Sequence, residues 1–169
     1  MSLTVVIPEG PEELDHVRTL KRAFIAWHKD RHRDEIHLIE SYFDAAAYDR
    51  ELASLPGEYV PPKGQLLLAM IDGAPAGCVA MRDIDEIHCE MKRMFVYPKF
   101  HGQGVGRALA GKLIEAARGL GYGAMRLDTS IRQDEAMGLY RRLGFKAIPP
   151  YCDLPLALQN WLVFMELAL

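Results

Sequence analysis

Bases and glycines are concentrated in residues 90–114, and acids are absent from the interior of that segment. No Asp or Glu lies between Glu90 and Glu115, whereas five basic residues do: Lys92, Arg93, Lys99, Arg107 and Lys112. The whole chain has 20 basic and 23 acidic residues, so the local excess is not a property of the composition. Such a concentration of positive charge predicts that this segment binds an anion.

The glycines at positions 102, 104 and 106 follow a strand-like run that stops at Pro98, and they precede an apolar-periodic helix. A helix begins with backbone N–H groups that lack partners, and its dipole adds about half a positive charge there. Glycine permits positive φ, so neighbouring N–H groups can converge on one oxyanion. Arg107 stands in the first turn, where acids are usual, which also favours an anionic ligand. The simpler interpretation is a helix start with turn glycines and a solvated basic face.

Two common phosphate-binding motifs do not fit the spacing. A Walker A loop requires Gly-Lys-Ser/Thr, but Gly106 is followed by Arg107 and Ala108. A dinucleotide fingerprint requires a third glycine, which is replaced by Arg107 in one register and by Leu109 in the other. A nucleotide-phosphate enzyme is therefore a disfavoured alternative.

Two segments resemble motifs of the GNAT N-acetyltransferase superfamily. His101 to Gly106 resembles its acyl-coenzyme-A loop, Gln/Arg-x-x-Gly-x-Gly/Ala, with His101 in place of Gln or Arg. Ala136 to Phe145 is similar to the signature A-x-x-L-Y-x-x-x-G-F, which places Tyr140 at the tyrosine. The resemblance implies that acetyl-CoA is the co-substrate. It also implies an α/β fold of the GNAT-like acyl-CoA N-acyltransferase type, with a mixed, mostly antiparallel sheet flanked by helices.

The resemblance implies a set of co-substrate contacts. The backbone of Met94, Phe95 and Val96 is expected to pair with the acyl-pantetheine arm as an added strand. A ring N–H of His101 can supply the hydrogen bond that Gln or Arg usually supplies. The remaining expected contacts are Gly102, Gln103, Gly104, Val105, Gly106, Arg107, Gln133 and Tyr140.

Acetyl transfer to an amine requires a base for the amine and an acid for the leaving thiolate. A phenol, with a reference pKa of ~10, can protonate a thiolate whose reference pKa is ~8.5 with a modest uphill step. Tyr140 is the candidate acid. Glu90 and Asp128 are both candidates for the base, and a water chain alone is a third possibility. Without such a role, Glu90 is a partner for Lys92 or Arg126, and Asp128 is a turn or cap residue.

The implied function is an N-acetyltransferase that moves an acetyl group from acetyl-CoA to a primary amine of a small molecule or amino acid. Transfer is expected to be direct, in a ternary complex, because no activating histidine accompanies Cys89 for a ping-pong route. A non-catalytic acyl-CoA-binding sensor on the same fold and a peptide or protein N-acetyltransferase are the alternatives. Five side chains are candidates for the acceptor pocket: Tyr42, Tyr48, Arg82, Tyr151 and Asp153.

Composition predicts one globular domain over residues 1–169, since half of the residues are hydrophobic. The charge balance argues against nucleic acid or an anionic membrane as partner, and the resemblance makes a homodimer plausible. We find no leader and no apolar run near ~18 residues, so a soluble protein is expected. The three cysteines have no CxxC spacing, which favours a reducing cytoplasm and buried thiols over disulfides or a metal site.

Hydrophobic periodicity predicts the elements. The predicted strands cover residues 3–7, 65–71, 76–81, 91–96, 124–129, 145–148 and 161–169, with Asp72 and Gly73 as a hairpin turn. Helices are predicted from Pro11, over 36–55, over 105–120 and over 133–143. His28, His32 and His37 are expected on a solvated helix face, and Gly111 is expected to pack closely on the sheet.

Overall fold

The computed structural model describes residues 1–169. The strands are β1 (Leu3–Val6), β2 (Gln65–Ile71), β3 (Ala74–Asp83), β4 (His88–Val96), β5 (Ala124–Ser130), β6 (Lys146–Ile148) and β7 (Leu162–Ala168). The helices are α1 (Pro11–Arg31), α2 (Ile36–Tyr42), α3 (Ala45–Ala53), α4 (Val105–Gly119), α5 (Asp134–Arg142) and α6 (Leu156–Trp161). None of these helices combines the length and the apolar character that crossing a membrane requires.

All seven strands form one sheet in the order β1-β2-β3-β4-β5-β7-β6. Every neighbouring pair is antiparallel except β4 and β5, which are parallel, so the mixed, mostly antiparallel sheet is confirmed. Asp72 and Gly73 connect β2 to β3 with φ values of +48° and +80°. Positive φ at both central residues is typical of a tight hairpin turn, as predicted.

Both faces of the sheet centre are buried, which explains the near-continuous apolar run of β2. Leu67, Ala69 and Ile71 belong to the core on the α4 side, whereas Leu66 and Leu68 belong to the core with α1 and α3. Successive residues of a strand point to opposite faces, so a strand that is covered on both sides must be apolar throughout.

The parallel pairing of β4 with β5 is short. It joins His88 to Ala124, Cys89 to Met125 and Glu90 to Arg126, and then stops. Beyond these pairs β4 continues to Val96 and β5 to Ser130 without pairing to each other. A bulge in β4 accompanies the separation, because the register with β3 shifts between Cys78 and Ala80 and Arg93 has φ of +59°. The separation leaves one backbone edge of β4 without a strand partner beyond Glu90.

Two expectations from the sequence are wrong. His28 and His32 are buried rather than solvated, because α1 packs that face against the sheet, whereas His37 is exposed. A Cβ at Gly111 would meet no atom within 4 Å, so this glycine faces open space and not the sheet. The predicted helical region 36–55 is confirmed and consists of two helices, α2 and α3, with Asp44 capping the second by accepting a hydrogen bond from Ala47 N.

Arg93 extends from the bulge into a buried ion network. Its guanidinium lies 3.2 Å from Glu51, which also pairs with Lys21 at 2.8 Å. The hydroxyl of Tyr59 also donates a hydrogen bond to Glu51, at 2.7 Å. Glu51 therefore forms ion pairs with two buried cations, and these contacts connect α1 and α3 to β4.

Candidate active site

The glycine loop presents backbone donors that have no partner. Gly102 and Gly104 have φ values of +77° and +81°, in the region that favours glycine. The first backbone bond of α4 runs from Ala108 N to Gly104 O, and no side chain caps the helix. The N–H groups without a hydrogen bond in the chain are those of Gly102, Gly104, Val105, Gly106 and Arg107. This is the donor set that an oxyanion such as a pyrophosphate requires.

Two polar side chains of the loop are already engaged. His101 Nε2 lies 2.9 Å from Val96 O, and Gln103 Nε2 donates to Lys99 O at 3.1 Å. Because a carbonyl can only accept, His101 Nε2 carries the proton. The ring N–H that was expected to serve the co-substrate is therefore used to hold the loop against β4.

A groove of about 450 Å³ runs from the glycine loop to Tyr140. Gln103 is the only predicted co-substrate residue outside its lining. The groove brings together Met94, Phe95, Val96, His101, Gly102, Gly104, Val105, Gly106, Arg107, Gln133 and Tyr140. Its α1 wall, formed by Phe24, Trp27 and His28, was not foreseen from the sequence.

Gly106 has a steric role that differs from that of Gly102 and Gly104. A Cβ at this position would lie 3.2 Å from Leu139 Cδ2 and 3.9 Å from Val96 Cγ2. The absence of a side chain therefore lets α4 approach α5 and β4 closely, at the place where the groove passes between them.

An inner cavity of about 60 Å³ adjoins the groove. Phe24, His28, Met94, Gln133 and Tyr140 line both spaces, so the two meet at Tyr140. The polar side chains that line only the inner cavity include Tyr42, Lys92, Arg93, Asp128 and Trp161. The arrangement joins a long groove for one ligand to a small cavity for another.

Tyr140 lies at the junction with a free hydroxyl. It is 5% exposed, and its hydroxyl makes no hydrogen bond in the chain. Burial raises the pKa of Tyr140, and the negative charge of Asp128 raises it further. Tyr140 therefore stays protonated near neutral pH, which is the state that a proton donor needs.

Asp128 is a buried carboxylate on β5 that lines the inner cavity. The Tyr42 hydroxyl donates a hydrogen bond of 2.5 Å to its Oδ1. Burial raises the pKa of Asp128, and the charge of Lys92 and the Tyr42 hydrogen bond offset part of that effect. A carboxylate with a raised pKa is a stronger proton acceptor than an ordinary one.

Glu90 is held in a different environment. Its Oε1 lies 3.0 Å from Arg82 Nε and 3.6 Å from Lys92 Nζ, and its Oε2 accepts a 2.6 Å hydrogen bond from Tyr151. Burial alone would raise the pKa of Glu90, but Lys92, the Tyr151 hydrogen bond and Arg82 outweigh burial and lower it. Glu90 lines neither the groove nor the inner cavity.

The five acceptor-pocket candidates are dispersed. Tyr42 lines the inner cavity, whereas Tyr48 is a core residue whose hydroxyl donates to Lys21 O at 2.9 Å. Arg82 and Tyr151 hold Glu90, and Asp153 is exposed outside both spaces. His28 and Trp161 do line the inner cavity but were missed, because their burial depends on how α1 and α6 dock.

Cysteine and metal chemistry have no support at this site. Cys89 is buried, its Sγ lies 3.6 Å from Ala124 O, and burial raises the pKa of its thiol to about 12. A thiol with so high a pKa is a poor nucleophile. No group of three or more His, Cys, Asp or Glu side chains is arranged to hold a metal ion.

Comparison with known proteins gives a consistent match. The model of the acetyltransferase (GNAT) family matches residues 20–145. An uncharacterized N-acetyltransferase of Schizosaccharomyces pombe is 38% identical over 110 residues, which are 64% of this chain and 68% of the relative. N-acetylaspartate synthetase of Danio rerio is 33% identical over 113 residues, which are 66% of this chain but only 40% of that protein.

The fold also has solved counterparts. The structure of the PaiA N-acetyltransferase from Thermoplasma acidophilum in complex with coenzyme A superposes with a TM-score of 0.77 and 18% sequence identity. The superposition covers 100% of both chains. At this level of identity the likeness establishes the fold alone.

Proposed function

The chain belongs to the acetyltransferase (GNAT) family, and we propose that it acetylates the primary amine of a small molecule by direct transfer from acetyl-CoA. It is an acyltransferase, and acetyl-CoA is its co-substrate. One observation carries the proposal. The groove that begins at the free loop amides ends where Tyr140 and Asp128 face the inner cavity.

The residues of the groove fit acetyl-CoA. The free N–H groups of Gly102 and 104–107 suit the pyrophosphate, and Arg107 adds a positive charge beside them. The unpaired edge of β4 suits the amides of the pantetheine arm, which can pair with it as a strand would. Gln133 has no side-chain hydrogen bond in the chain and lines the groove, so its amide is free for a ligand.

Acetyl-CoA supplies a thioester, in which the acyl group is activated and the sulfur can leave as a thiolate. We assign Asp128 as the base that takes the proton of the attacking amine, directly or through a water molecule. Tyr140 donates its hydroxyl proton to the leaving sulfur, and solvent restores both groups afterwards. Orientation of the two reactants at the junction contributes most of the rate enhancement.

The two roles assist each other. The charge of ionised Asp128 raises the pKa of Tyr140. When Asp128 takes the amine proton its charge disappears, and Tyr140 becomes a stronger acid at the moment the thiolate needs a proton. Glu90 is the less suitable base, because its pKa is lowered and both of its oxygens are engaged.

A small acceptor is supported by the size of the inner cavity. Its volume of about 60 Å³ holds roughly five groups the size of a water molecule. The relative whose name is N-acetylaspartate synthetase is consistent with a small acceptor.

The test is release of the CoA thiol from acetyl-CoA in the presence of a panel of small primary amines and short peptides. Thiol release with small amines, and acetylated amine by mass spectrometry, is expected. Thermal stabilisation by acetyl-CoA without thiol release for any amine would instead indicate an acyl-CoA sensor. Acetylation of peptides alone would indicate a peptide N-acetyltransferase.

A further inference from the structure

Two side chains of the inner cavity carry polar atoms without partners. His28 is 3% exposed and Trp161 is 5% exposed. Neither ring nitrogen of His28 makes a hydrogen bond, and neither does Nε1 of Trp161. These are the only buried side-chain nitrogen or oxygen atoms of the chain in that condition. Buried polar groups in native proteins are nearly always paired, so a cluster of exceptions requires a reason.

The neighbouring histidine, His32, differs from His28 because both of its ring nitrogens have hydrogen-bond partners. The ring of His32 packs against both unpaired side chains, with centroids 5.5 Å from His28 and 5.0 Å from Trp161. Its Nδ1 lies 2.8 Å from His28 O and its Nε2 lies 2.6 Å from Ser130 Oγ. His32 is thus satisfied within the protein and fixes the helix, while His28 and Trp161 border the cavity unsatisfied.

The unpaired atoms have a definite chemistry. Burial lowers the pKa of His28 to about 3, and the nearby His32, Arg31 and Arg93 lower it in the same direction. The ring is therefore neutral and offers one N–H donor and one acceptor nitrogen, and Trp161 offers one N–H donor. Two cations, Lys92 and Arg93, also line this cavity, but they are ion-paired with Glu90 and Glu51, which lie outside it. The unpaired N–H groups of His28 and Trp161 are therefore free donors that line the cavity, and two such donors suit an anionic oxygen group.

We propose that His28 and Trp161 bind the carboxylate of the acceptor, so that the acceptors of this enzyme are amino acids whose amine and carboxylate lie close together. The inference rests on the proposed function and specifies its acceptor. In this arrangement the amine lies at Asp128 and the carboxylate at His28 and Trp161, all three of which line the inner cavity. An amine and a carboxylate joined through one carbon contain five heavy atoms, which matches a cavity of about 60 Å³.

The test compares each amino acid with the amine that remains when its carboxylate is removed. The pairs are glycine and methylamine, and alanine and ethylamine, whose sizes are close to that of the cavity. Rates are expressed as kcat/KM per free amine at fixed acetyl-CoA, because the two members differ in amine pKa. The kcat/KM of the amino acid is expected to exceed that of the matching amine by at least about thirtyfold. A factor of this size lies within the contribution that hydrogen bonds to a charged group usually make.

Two variants test the residues themselves. His28→Phe and Trp161→Phe keep an aromatic ring but remove the donors, and each is expected to lower the preference ratio by about tenfold or more. The melting temperature of His28→Phe is expected to rise, because a buried polar ring without partners is replaced by an apolar one. His37→Phe, on the exposed face of α2, is the matched control and should leave the ratio unchanged.

The outcomes separate the two levels of inference. Acetylation of the decarboxylated amines as fast as the amino acids overturns the carboxylate assignment and leaves the proposed function intact. An unchanged preference for the amino acid over its amine in both variants overturns the roles of His28 and Trp161. Circular dichroism checks that each variant is folded, which is all that this comparison requires. Failure to acetylate any amine, with acetyl-CoA still bound, overturns the proposed function and this inference with it.

Discussion

The hydroxyl of Tyr42 donates a hydrogen bond of 2.5 Å to Asp128, and 86 residues of sequence separate the two. The bond joins the end of α2 to the middle of β5, so one contact both lines the inner cavity and shifts the pKa of the proposed base. It favours the ionised form of Asp128, in opposition to burial.

Tyr42→Phe is expected to shift the acidic limb of kcat/KM to higher pH. Asp128 acts as a base only when ionised, and burial already raises its pKa. Without the Tyr42 hydrogen bond the pKa rises further, so activity is lost at a higher pH as the solution is acidified. The pH profile of kcat/KM at saturating acetyl-CoA measures the shift. An unmoved limb would mean that another group limits the reaction at low pH.

Asp128→Asn and Glu90→Gln distinguish the two candidate bases. Asp128→Asn is expected to lower kcat/KM by about 10²–10⁴, the usual contribution of a general base. Glu90→Gln leaves Lys92 without an ion-pair partner and Arg82 with only Glu58, so we expect a lower melting temperature and a loss of rate below about tenfold. The reverse order of rates would assign the base to Glu90.

Tyr140→Phe is expected to lower kcat by about 10²-fold or more with little change in acetyl-CoA affinity, because only the proton donor is removed. Calorimetric binding of acetyl-CoA and steady-state rates measure the two quantities. Tyr122→Phe is the matched control, since the Tyr122 hydroxyl donates to Lys63 O and lines neither the groove nor the inner cavity. Equal kcat for Tyr140→Phe and wild type contradicts the assigned acid.

Gly104→Ala and Gly111→Ala are expected to change stability in opposite directions. Gly104 has φ of +81°, so alanine there costs about 1–2 kcal/mol and should disturb the loop amides that bind acetyl-CoA. Gly111 lies inside α4 with open space around its Cβ position, so alanine should stabilise by about 0.5–1 kcal/mol. Urea denaturation and calorimetric titration with acetyl-CoA test both variants. Unchanged acetyl-CoA affinity in Gly104→Ala would argue against the loop as the pyrophosphate site.

Glu51→Gln is expected to lower the free energy of unfolding by about 3–5 kcal/mol, because Lys21 and Arg93 stay buried without their shared carboxylate. Burial opposes ionisation of Glu51, but Arg93 and Lys21 outweigh it and lower its pKa to about 2. The stabilisation is therefore complete above the ordinary Glu pKa of ~4.3 and is lost as the pH falls towards about 2.

Denaturation of wild type and Glu51→Gln between pH 2 and pH 7 measures the difference. The difference should shrink steadily on acidification below pH 5. Asp30→Asn removes an exposed pair with Arg33 and should leave the unfolding midpoint unchanged. A difference in the free energy of unfolding between wild type and Glu51→Gln that does not vary with pH would contradict stabilisation by the ionised Glu51.

Local features of the chain were predictable because their causes lie within a few residues. The Asp72-Gly73 turn, the strand of 65–71 and the glycine loop before α4 all follow from residue type and short spacing. Helix α6 was missed, because six residues after Pro155 carry too little periodicity to separate from the final strand.

The sequence was sufficient to predict most of the co-substrate groove but not the environments of the candidate bases. The predicted residues of the groove come from one continuous stretch and from Gln133 and Tyr140, so motif spacing was sufficient to place them, whereas the α1 wall of the groove was not predicted. The environments of Glu90 and Asp128 depend on partners far away in sequence, namely Tyr151 and Tyr42. The burial of His28 is set by the docking of α1 on the sheet, which its own segment does not reveal.

The short junction between β4 and β5 has a mechanical consequence. Strands β1 to β4 form one half of the sheet and β5 to β7 the other. The two halves pair with each other through only three residue pairs. Acetyl-CoA bound between β4 and β5 would contact both halves of the sheet, so it should stabilise their junction. Amide hydrogens at 88–90 and 124–126 should therefore exchange more slowly once acetyl-CoA is bound.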